Sequence, residues 1–155
     1  MTKDNQSIEG KIRLQCFKED GSLKWDTGFI KNIITNAGKA QIALLAGDSS
    51  AVPFTYLAVG TSSTAVAATD TTLTAEITDT GLERAAATVS RVTTTVTNDT
   101  LQLVKMWTAS GTKTIEETGL FNASSAGTML GHALTTSKTV NNGEAIQITY
   151  QVKFA

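Results

Sequence analysis

The chain is short of most residues that chemistry relies on. It has one histidine, His132, and one cysteine, Cys16, in 155 residues. A single cysteine excludes an internal disulfide framework. Any Ser–His–Asp or Cys–His catalytic arrangement would have to use His132, and no nucleophile motif accompanies it. Cys16 falls on the apolar side of an alternating segment, where a small core residue is expected. There is no phosphate-cradling Gly-Lys-Ser/Thr loop, no dinucleotide fingerprint and no calcium-loop spacing among Asp70, Glu76 and Asp79. No enzyme, cofactor or metal site is therefore expected. Charged residues make up 17% of the chain and the net charge is −1. That leaves no basic excess for nucleic acid or an anionic membrane. No apolar run approaches the roughly 20 residues of a membrane span. The start, Met1 to Ser7, lacks the apolar core of a signal peptide, which points to synthesis in the cytoplasm. There is one proline, Pro53, and aromatic residues amount to 6%.

What is present is threonine, alanine and alternation. Hydrophobic residues make up 41% of the chain, enough for one domain with a real core. Threonine is β-branched and suits exposed strand faces. Residues 1–7 read as a polar arm ahead of a single β domain over 8–155. Thr2, Lys3, Asp4, Asn5, Gln6 and Ser7 are its candidate partner contacts. Ile8, Ile12, Leu14 and Cys16 alternate with polar neighbours as a half-buried strand does. Asp20-Gly21 signals a turn, Leu23, Trp25 and Thr27 the returning strand, and Gly28 its end. Asn36 is the expected cap of the one short α-helix, about Asn36–Ala46, with Gly47 as its stop.

Phe54 to Gly60 reads as a strand. Thr61 to Thr72 reads as a long small-residue loop, more simply a mobile surface loop than a segment ordered by a partner. Leu73 to Glu76 is expected to form a helical turn. From Arg84 onward the pattern is a meander. Asn98-Asp99 links strands over Ala86–Thr97 and Thr100–Ala109, and Ser110-Gly111 leads into the next. Asn142-Gly143 is the strongest hairpin signal, and Ile146, Ile148, Tyr150, Val152 and Phe154 alternate after it. Ala85-Ala86-Ala87 and Thr93-Thr94-Thr95 read as sparsely charged strand faces. The fold class is all-β, a jelly-roll-like sandwich or barrel with one short helix.

The segment Thr114 to Phe121 organises this reading. Leu120 and Phe121 point to opposite faces, so this strand should lie between two apolar layers. Gly119 suggests a bulge, there with positive φ, or a close backbone approach. Glu116 and Glu117 face opposite ways and cannot form a facing catalytic pair, and Glu117 is expected to be buried against backbone N–H groups at the bulge. The structural core is placed on Trp25, Trp107, Glu117, Gly119, Leu120 and Phe121.

The run Ile115-Glu116-Glu117-Thr118-Gly119-Leu120-Phe121, followed by Gly127-Thr128-Met129-Leu130, resembles small tailed-phage virion proteins. So do Asn32 to Gly38, Leu57-Ala58-Val59-Gly60, Thr71 to Glu76, and Ile146 to Phe154, in that order. Such proteins often carry an arginine where this chain has Gly131-His132, so no role of that arginine is transferred. The resemblance implies a capsid decoration or cementing protein. It would be a homotrimer on the head surface of the virion, with the major capsid protein as partner. A tail-associated fibre or baseplate component binding host glycan is the alternative, and exposed aromatic side chains grouped together would favour it.

Overall fold

The computed structural model describes residues 6–154. The expected contacts Thr2, Lys3, Asp4 and Asn5 lie outside the described residues, whereas Gln6 and Ser7 are described and exposed. Among the described residues, nine strands and one helix form. They are β1 (Ile8–Phe17), β2 (Leu23–Ile34), α1 (Asn36–Gly47), β3 (Tyr56–Gly60), β4 (Ala85–Ala86), β5 (Thr88–Val92), β6 (Thr100–Thr108), β7 (Lys113–Phe121), β8 (Met129–Val140) and β9 (Ala145–Phe154). All pairings are antiparallel, in the order β4-β3-β7-β8-β2-β1-β9-β6-β5. The sheet curls into a nearly closed barrel or sandwich, the all-β class with one helix that the sequence implied.

Alternation drives the closure. Ile12, Leu14 and Cys16 of β1 and Ile146, Ile148, Tyr150 and Val152 of β9 are buried, and their neighbours along each strand are not. The two strands pair without a break from Ile8 against Phe154 to Phe17 against Ala145. Their inner faces meet Leu57, Val59, Leu120 and Leu130 from the other half of the sheet in one apolar cluster. Removing such side chains from water is the main favourable term in folding.

The meander is the main correction. Gly143 takes a positive φ of 85°, as an Asn-Gly turn requires. Yet β8 and β9 do not pair with each other, because the β1–β2 hairpin is inserted between them. Likewise β6 lies beside β9 and β5, and β7 beside β3 and β8, so Ser110-Gly111 crosses between the halves of the sheet. Turn chemistry specifies a local reversal of the chain. The partner of each strand is set by which apolar faces close the core.

Smaller corrections follow from the same competition. Gly28 does not end β2 but carries it through a bulge with φ 65°. There the Thr27 hydroxyl accepts from Leu14 N–H at 3.0 Å in place of a ladder bond. The helix cap is Thr35 and not Asn36, since the Thr35 hydroxyl accepts from Gly38 N–H at 2.9 Å. Residues 93–99 form a loop and no strand face. Asp99 there accepts from the N–H groups of Thr94, Thr95 and Val96. Ala85 and Ala87 pack against the main core, which accounts for the lack of charge there. Residues 73–76 form no helical turn, and Glu76 instead bridges Gly60.

β7 lies between two layers. Leu120 belongs to the main core, and Phe121 to a second cluster with Ala58, Leu73 and Met129. Trp107 is buried with its indole N–H on the Glu83 carbonyl at 2.9 Å. Trp25 is partly buried and donates to the Thr139 carbonyl at 3.0 Å. Gly119 sits in regular ladder between Ala58 and His132, and the bulges fall on either side of it. Glycine is required there by space and not by φ. A Cβ would come 2.8 Å from Phe121 Cε2 and 2.9 Å from Leu73 Cδ2.

Phe121→Ala is expected to lower stability by about 3–5 kcal/mol, as large-to-small core changes do. Gly119→Val should also melt well below the parent. Thermal melting checks both, and parental melting of either variant would contradict the two-layer placement of β7.

Candidate functional site

The polar centre of the molecule is built on β7, β8 and the long connection 61–84. Glu117 on β7 and His132 on β8 lie on the side of the sheet that this connection covers. The two are buried, and His132 Nε2 is 2.8 Å from Glu117 Oε2. The other ring nitrogen, Nδ1, is 2.8 Å from Asp70 Oδ2 in the connection. Glu117 also accepts from Ala75 N–H at 2.7 Å and Thr74 N–H at 3.1 Å. Its donors are therefore the backbone of the covering loop and not the bulge in its own strand. The neighbouring strand leaves room for this carboxylate with a glycine. A Cβ on Gly60 would stand 2.6 Å from Glu117 Cγ and 2.7 Å from the Ala75 carbonyl oxygen.

The connection is fastened at further points. Asn36 N–H donates to the Ala68 carbonyl at 2.8 Å, which ties the loop to the start of α1. Arg84 makes a bidentate ion pair with Glu76 at 2.8 and 2.6 Å. Its third nitrogen donates to the carbonyls of Ala123 and Ala126 in the β7–β8 turn. The guanidinium lies 3.5 Å above the Phe121 ring, so one side chain closes the loop, the turn and the second apolar cluster together. The expectation of a mobile loop is thus replaced by a loop anchored to its own sheet. Asp70, Glu76 and Asp79 do not gather. They pair with His132, Arg84 and Lys113 respectively.

This geometry has little capacity for acid–base or nucleophilic work. Both nitrogens of His132 are engaged by carboxylates, and the ring is 1% exposed. Asp70 is held below its ordinary value, first by the Ala67 N–H and then by His132. Cys16 is pushed up to about 11, chiefly by burial and then by the Glu144 charge, which keeps it a thiol. The role of His132 as a loop anchor was hidden in the sequence, since Asp70 lies 62 residues away and Glu117 lies 15.

The aromatic surface is sparse. Among the described residues, Phe29 and Phe154 are the exposed large aromatics, at 46% and 44%. Phe29 pairs with Arg13 and Phe154 with Ile8, positions on opposite faces of β1. Lys11 Nζ lies 4.5 Å from the Phe29 ring centre, over its face.

The scaffold is a nearly closed β structure whose buried polar groups fasten its own loop. The comparisons with known proteins place it among phage virion proteins. Residues 34–152 match the family model described as Podophage GP4 fiber I protein gp80, and the chain belongs to that family. No curated protein and no solved structure matches it.

Glu117→Ala leaves His132 and two backbone N–H groups without their buried partner. A loss of about 1–3 kcal/mol or more is expected, the cost of leaving buried donors without an acceptor. Cleavage within 61–84 by limited proteolysis should accelerate, and a parental digestion pattern would contradict the anchoring role. Acid titration tests Asp70. Its folded value is lowered, so its stabilisation is complete above its ordinary 3.8 and is lost as pH falls below that. Asp70→Asn should melt lower at neutral pH and lose less on acidification than the parent. An identical acid limb in both proteins would contradict the pairing.

Proposed function

We propose that the chain is a non-enzymatic building block of a phage fibre, or of the tail parts that carry fibres, and that it acts through protein–protein contacts. The observation that carries this reading is the match of residues 34–152 to a fiber protein family. The surface supports assembly better than sugar stacking. The two exposed aromatics are on opposite faces, and Phe29 already carries a lysine over its ring.

The β5 edge supports self-association. Thr88, Val89, Ser90 and Arg91 are exposed there, and the adjoining loop presents Val96 at 66% exposure. Edge strands of monomers normally carry blocking charges, and Arg91 is the single charge in β5. A cyclic homotrimer closing this edge, with the net charge of −1 giving little repulsion between copies, is the assembly we propose.

Two measurements test this. Electron cryomicroscopy of intact particles should place the chain in tail or fibre density at low copy number. Density over the head lattice, in hundreds of copies against the major capsid protein, would instead support a decoration protein and overturn the fibre reading. Light scattering at micromolar concentration should give three times the 16.3 kDa chain mass. A single-chain mass would contradict a trimer that persists in solution.

A further inference from the structure

Most of the arginines and lysines that form ion pairs lie away from one concavity. Arg13 pairs with Asp26, Lys24 with Glu144, Arg84 with Glu76 and Lys113 with Asp79. A cavity of about 480 Å³ at the end of the sheet, where β1, β2 and β9 meet α1, has the opposite character. Lys11, Lys31, Lys39 and Lys153 line it, with Glu9 as the one acidic residue in the lining. Among the described residues, Lys31, Lys39 and Lys153 make no ion pair. Lys11 leans on Phe29. Asp99 is near in sequence to the lining residues Thr94 and Thr100, but its carboxylate is occupied by the N–H and hydroxyl groups of its own loop.

The register sharpens the point. Lys11 and Lys31 are direct cross-strand partners in the β1–β2 ladder. Like charges placed directly opposite each other are destabilising. Lys153 of β9 is the direct cross-strand partner of Glu9 of β1, which offsets one charge of the four. The same face carries the neutral hydrogen-bonding group of Gln151, the β9 residue opposite Lys11. Four lysines with one carboxylate among them, beside the Gln151 amide, suit a ligand with anionic oxygens.

We propose that this cavity binds a phosphate group, carried on a sugar or free. The phosphate sits between Lys31, Lys39 and Lys153 and relieves the repulsion between Lys11 and Lys31. The site is independent of where in the virion the chain resides.

Titration calorimetry of the full chain with glucose 1-phosphate, inorganic phosphate and glucose tests it. Both phosphates should bind, with affinity falling as salt rises, and glucose should not. Tighter binding of glucose 1-phosphate than of inorganic phosphate assigns the sugar-borne form. Equal binding assigns the phosphate alone. The double variant Lys31→Gln/Lys39→Gln should lose about tenfold or more in affinity, as removal of charge-assisted contacts does. Its melting temperature without ligand should equal or exceed the parent's, because the Lys11–Lys31 repulsion is gone. Lys113→Gln, outside the cavity, should bind as the parent does. Absence of binding by either phosphate, or an equal affinity in the double variant, would overturn the proposal.

Discussion

The buried carboxylate of Glu117 is the constraint on which the rest of the covering layer depends. An ionised carboxylate removed from water costs several kcal/mol unless its oxygens are engaged. Here they are engaged by His132 and by the N–H groups of Thr74 and Ala75. The donors belong to a connection with no regular structure of its own, so the sheet and the connection depend on each other. The loop satisfies the strand's charge, and the strand supplies the acceptor that fixes the loop. Asp70 completes the arrangement from the far side of the imidazole. Gly60 keeps space open for the carboxylate by lacking a Cβ, and Gly119 does the same for Phe121 and Leu73.

This coupling gives β7 its two apolar faces. With the connection in place, Phe121 is enclosed by Ala58, Leu73 and Met129 and capped by Arg84. Without it, the same face would present a phenyl ring and a carboxylate to water. The anchored loop therefore acts as a third layer over one half of the sheet. The other half, β9, β6 and β5, keeps one face open. That asymmetry divides the molecule into a closed side and a side with an available edge.

Local periodicity was a good guide wherever burial alternates along a single strand. β1, β9 and the Gly-Leu-Phe strand were legible because every second residue is apolar or because both faces are. Partnering was not legible. The Asn142-Gly143 turn has the conformation its residues dictate, yet it joins strands that the β1–β2 hairpin separates. Nothing local to residues 140–145 encodes that insertion. The anchoring cluster escaped for the same reason: a histidine and two acids far apart in sequence carry no spacing signal. Gly119 was recognised as special for the wrong cause, since a clash with side chains from Leu73 and Phe121 leaves the same mark in a sequence as a positive φ. The resemblance to tailed-phage virion proteins came from short motifs in a shared order, and the family match, to a fiber protein, supports a virion protein.

The central claim is that loop 61–84 is held to the sheet by Glu117 and His132 as firmly as the strands are held to one another. Hydrogen exchange at single-residue resolution measures this directly. The amide of Ala75, which donates to Glu117 at 2.7 Å, should exchange on the timescale of the β7 ladder amides and only through global unfolding. Exchange of Ala75 at the rate of an exposed loop amide, with β7 still protected, would contradict the account.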